Sequence, residues 1–139
     1  MKYFHSKQRF IEICLIVQKQ QLQDQVIEMV EYDQNTRVTD KLKKLYFLHT
    51  NVEGPYYLIF KALFETKNNY PNAYQTAVRY RTWLTNEIYS QLRQLKTDAS
   101  FTDAKLFLYL LEGTIVQLLG SNGVNEQEKI LEYFLVRFR

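Results

Sequence analysis

Few side chains in this 139-residue chain have the types and spacing that chemistry needs. His5 and His49 are its only histidines. His49 and Glu53 lie four apart and could meet on one helix face as two metal ligands, but two ligands do not make a site, and Gly54 ends the helix there. A solvated pair is the plainer reading. Glu28 and Glu31 lie three apart, yet no Glu-x-x-His occurs, the pattern that a ferritin-type metal bundle requires. Cys14 falls in an apolar run and reads as a small core residue. A nucleophile would need exposure and an activating base. There is no Gly-x-Gly-x-x-Gly and no glycine-rich phosphate loop. Arg79 with Arg81, and Lys41, Lys43 and Lys44, read as solvated faces. Neither an enzyme, nor a metal, nor a cofactor is expected.

The elements carrying these residues read as helices. Four glycines and two prolines are too few for the tight turns of a sandwich or barrel, and 46% hydrophobic residues can fill one core. The length suits a single domain, and no repeat, low-complexity tract or linker is visible. A net charge of +3 is too small to indicate nucleic acid by itself. A lone cysteine excludes an internal disulfide and suits a reducing, cytoplasmic setting. No apolar stretch approaches the ~18 residues of a membrane span, and the polar run Gln18 to Gln21 argues against a signal peptide.

Periodicity predicts six helices. The first spans about 6–31, capped by Ser6, with Phe10 to Val17 buried on several sides. The second covers roughly 38–49. The third, 55–67, follows the Gly54-Pro55 break and carries Tyr56, Ile59, Phe60, Leu63 and Phe64. The fourth, 73–96, carries the stripe Ala77, Leu84, Ile88, Leu92 and Leu95, with Tyr80 and Trp83 beside it. The fifth begins at a Ser100-x-x-Asp103 capping box and ends at Gly120. The sixth begins at Asn125-x-x-Glu128.

The fifth helix is apolar nearly all round from Phe107 to Leu119. Such a helix is either central to its own domain or divides its faces between that domain and a second subunit. Mid-helix Gly113 costs ~1 kcal/mol against alanine, a cost that close approach of another helix can offset. The sixth helix should lie antiparallel to the fifth, and two such pairs would make a four-helix dimer interface. The residues expected there are Phe107, Leu111, Gly113, Ile115, Leu118, Ile130, Leu131, Phe134 and Phe138. A hairpin completing a monomeric bundle is the alternative.

The first ten residues, Met1-Lys2-Tyr3-Phe4-His5-Ser6-Lys7-Gln8-Arg9-Phe10, resemble the junction after the DNA-binding domain of TetR-family transcriptional regulators. The family pattern there is aromatic-x-[His/Tyr]-Phe-x-[Ser/Thr]-Lys-x-x-[Leu/Phe]. Tyr3, Phe4, Ser6, Lys7 and Phe10 fit it, whereas Met1 replaces the first aromatic and Arg9 a frequent acidic residue. The resemblance implies an all-α, six-helix regulatory domain (7–139) whose last two helices pair across a dimer, with 1–6 as the remnant of a helix-turn-helix domain. It implies that Tyr3 and Lys7 touch the DNA backbone, contacts that position a protein without reading sequence. Operator binding then belongs to a full-length protein, with Met1 internal to it. The resemblance further implies a homodimer and an internal pocket for a small hydrophobic or aromatic effector. Phe60, Tyr80, Trp83 and Tyr109 are the candidate lining, although an aromatic stripe at helical spacing also packs as core. No charge within the apolar stripes marks the effector's own charge. A stand-alone helical carrier of hydrophobic ligands is the other reading.

Overall fold

A computed structural model describes residues 2–120 and 124–138, with side chains for 7–120 and 129–138. Every element among them is helical: α1 (Lys2–Ile27), α2 (Val38–Thr50), α3 (Tyr56–Glu65), α4 (Pro71–Leu95), α5 (Phe101–Gly120) and α6 (Val124–Val136). No helix among the described residues is long and apolar enough to cross a membrane.

The centre of the domain is α4. It packs against α1, α2, α3 and α5, while α6 packs mainly on α5. Pro71 opens α4, where its missing N–H is no loss. The inner stripe Ala73, Ala77, Tyr80, Leu84, Ile88 and Leu92 recurs every three or four residues and is buried throughout. From α2, Leu42, Leu45, Tyr46 and His49 face the same core. The α5 capping box forms as its sequence specifies: Ser100 N donates to Asp103 Oδ2 at 2.9 Å, and Asp103 N donates to Ser100 Oγ at 3.2 Å.

Several expectations need correction. The backbone is already helical at Lys2, so Ser6 lies inside α1 and does not cap it. No glycine or proline precedes Gly54 to stop a helix earlier. Past Ile27 the chain continues as one π-helical turn, Glu28–Tyr32. Lys41 is not on a wet face: it is buried, and its Nζ donates to the Val30 carbonyl at 3.2 Å, tying α2 to that π turn. The run from Phe10 to Val17 is not enclosed. Leu15 is buried, but Ile13, Ile16 and Val17 are exposed and Phe10 is 67% exposed, because α3 and α4 cover α1 along one side only. Phe64 of α3 is also exposed.

The last two helices have two apolar faces. Phe107, Leu111 and Ile115 of α5, and Leu131, Phe134 and Phe138 at the α6 end, are buried within the subunit. Phe107 and Phe134 meet edge to face at 5.7 Å, and Phe134 and Phe138 lie at 5.1 Å. Side chains wrapped by their own chain have no surface left for a partner, which corrects their assignment to an interface. Ile130 is exposed, and Gly113 and Leu118 are half-buried. With Ile130, the outward apolar face consists of Leu106, Tyr109, Val116, Leu119, Tyr133 and Val136. Apart from α5's own nearby backbone, no atom of the described residues lies within 4 Å of where a Gly113 Cβ would stand, so none of them requires a glycine there.

Candidate functional site

The four aromatic residues singled out from the sequence fall in two places. Tyr80 and Phe60 are buried in an aromatic cluster with Tyr56 and His49, and Trp83 packs on Tyr80 at 5.6 Å. Phe60, Tyr80 and Trp83 do not line the cavity described below; of the four, Tyr109 alone does.

His49 is no solvated partner of Glu53. It is buried, and its Nδ1 lies 2.6 Å from the Leu45 carbonyl, four residues back on α2. A carbonyl only accepts, so Nδ1–H donates and the ring's other nitrogen is left to accept. The Tyr80 hydroxyl donates to it, with Nε2 2.6 Å away. Tyr56 packs against the His49 ring at 4.9 Å, and its buried hydroxyl has no hydrogen-bond partner among the described residues. Burial raises the Tyr56 and Tyr80 phenols well above their ordinary range.

Burial also pushes the His49 pKa down to about 4, against the opposing pull of its bond to Leu45. The unfolded chain therefore takes up a proton near pH 6.5 that the folded chain refuses until about 4. Stability from this group is complete above the unfolded value and is lost as pH falls toward the folded one. Lowering the pH from about 7.5 to about 5 is expected to cost about 2 kcal/mol through His49 alone. Urea titrations at both values, on the parent and on His49→Gln, check this. The difference should shrink in the variant, and an equal fall in both would refute the assignment.

A cavity of about 470 Å³ opens between α3, α4 and α5. Leu63 and Phe64 of α3, Val78 of α4, and Phe101 and Leu108 of α5 supply its apolar wall. The polar side comes from Arg81, Thr82 and Thr85 of α4 and from Lys105, Tyr109 and Glu112 of α5. The α5 group sits at i, i+4 and i+7, one face of a helix. Arg81 and Glu112 form a fork: Arg81 Nε and Nη2 each donate at 2.8 Å, one to each Glu112 carboxylate oxygen. Those bonds hold the Arg81 pKa above its usual value despite partial burial. The Arg81 guanidinium also lies over the Tyr109 ring at 5.8 Å, and Lys105 Nζ over the Phe101 ring at 5.5 Å.

This charge pair corrects two expectations: Arg81 is not a solvated surface residue, and the cavity does carry charge. One signal was present in the sequence. Glu112 is the only charged residue between Leu106 and Leu119, and a carboxylate in so apolar a run requires a cationic partner. Which cation it takes, 31 residues away, is not encoded in local spacing.

Lys7 is exposed on α1, and the Tyr3 side chain lies outside the described residues, as do 121–123 and the Asn125 and Glu128 side chains. Among the described residues no group of three or more His, Cys, Asp or Glu is placed to hold a metal ion. Compared with known proteins, the chain matches no family model, no curated protein and no solved structure at a significant level.

Proposed function

We propose that the chain is the effector-sensing and dimerisation part of a TetR-like transcriptional regulator, a repressor, working as a homodimer in the cytoplasm. The observation that carries this reading is the second apolar face of α5 and α6. Leu106, Tyr109, Val116 and Leu119, with Ile130, Tyr133 and Val136, remain exposed after the subunit has filled its own core. Apolar surface on two adjacent helices marks an association site. Because each copy offers the same face, a two-fold pairing closes it. The cavity between α3, α4 and α5 supplies the sensor, next to the proposed dimer face. An effector that fits one helix arrangement better shifts the dimer toward it by its differential affinity. Operator DNA would be bound by a helix-turn-helix domain joined ahead of α1, with α1 carrying the movement.

Light scattering tests this. The expected mass is twice 16.8 kDa at tens of micromolar. A monomer at that concentration would overturn the regulator reading and leave the cavity to a stand-alone carrier.

A further inference from the structure

We propose that the cavity between α3, α4 and α5 takes a small organic anion, a carboxylate on a flat aromatic body, with its charge held by Lys105 and Arg81. This rests on the effector-sensing half of the reading above and names the class of effector.

The size fits, since small-molecule sites run from roughly 300 to 1,000 Å³ and this one is about 470 Å³. Its walls suit an aromatic body: Leu63, Val78 and Leu108 are aliphatic, and Phe64, Phe101 and Tyr109 offer ring faces. The charge decides the rest. Glu112 is the only acid in the lining, and each of its oxygens already accepts a hydrogen bond from Arg81. The Glu112 side chain is 13% exposed and that of Arg81 35% exposed, so the cationic half of the pair is the more accessible. A guanidinium has five N–H donors, and the fork to Glu112 uses two of Arg81's. Lys105 forms no ion pair among the described residues. With the Arg81–Glu112 pair neutral overall, Lys105 leaves the cavity with one uncompensated positive charge. The Tyr109 and Phe101 rings lie beneath the two cations and limit where they can sit, so an anion meets donors already in place. A ligand cation would meet a carboxylate already paired and a repelling ammonium.

Isothermal titration with three probes of one shape tests this at neutral pH: naphthalene-2-carboxylate, its uncharged carboxamide, and 2-naphthylmethylammonium. One carboxylate should bind per chain, about tenfold more tightly than the amide, with the ammonium weakest. Lys105→Gln, at an exposed position where folding is not at stake, should remove most of that preference. An amide or ammonium that matches the carboxylate, no measurable binding by any probe, or an unaltered preference in Lys105→Gln would overturn the proposal. Light scattering on the same samples separates the two readings. A dimer without carboxylate preference sinks this inference alone, and a monomer with it sinks the regulator alone.

Discussion

Replacing Phe107 with alanine is expected to cost about 3–5 kcal/mol of folding stability, whereas Tyr109→Ala, two residues along the same helix, should cost under about 1 kcal/mol in the monomer. Phe107 is completely buried where α2, α5 and α6 meet, with the Tyr46 ring at 6.4 Å and the Phe134 ring at 5.7 Å. Its surroundings cannot collapse freely, because the Tyr46 hydroxyl is hydrogen-bonded to Thr114 Oγ1, whose own hydroxyl donates to the Leu110 carbonyl. The truncation therefore leaves a void. Tyr109 is 54% exposed and creates none. Urea unfolding of both variants, at dilutions where the chain is monomeric, measures the contrast. Equal losses would mean that α5 is oriented differently.

The second large effect concerns association. If the chain pairs as proposed, Val116→Glu should leave helical content unchanged while lowering the light-scattering mass from twice 16.8 kDa to 16.8 kDa. Val116 is 57% exposed and sits one turn beyond Gly113, where the subunit leaves open space, so a carboxylate there is well solvated in the monomer. In a pair related by a two-fold axis each substitution counts twice, and each strips water from an unpaired charge. A rise in dimer Kd of at least about 100-fold follows, equivalent to roughly 3 kcal/mol. A Val116→Glu chain that remains dimeric would move the interface off this face.

Much of the helical order was legible from the sequence, because its signals are local. The Ser100–Asp103 box, the Gly54-Pro55 break and the α4 stripe act within a turn or two, and the structure has them where periodicity placed them. What escaped depends on distant partners. Local spacing pairs His49 with Glu53, but its side chain is bonded to Tyr80 on another helix. Spacing alone leaves Lys41 on a wet face, because the Val30 carbonyl that accepts its hydrogen bond belongs to the preceding helical segment. The apolar run Phe10 to Val17 predicts burial, yet burial needs a neighbouring helix and α1 has them on one side. For α5 the ambiguity was of another kind. Phe107 and Tyr109 are both aromatic, and with both faces apolar nothing in the pattern marks which one the subunit keeps. The cavity followed the same rule: Tyr109 was nameable as an aromatic, whereas Arg81 and Glu112 become a pair only when α4 and α5 are laid together.

Tyr109 has one further consequence, because its ring belongs both to the cavity wall and to the outward face of α5. Any contact that immobilises the ring from one side alters what the other side encounters. Linkage makes this mutual: by whatever factor a bound molecule tightens subunit pairing, pairing tightens the hold on that molecule. In the proposed ligand-sensing dimer, apparent affinity would then depend on how dilute the protein is, and sensitivity to the ligand would follow the abundance of this chain.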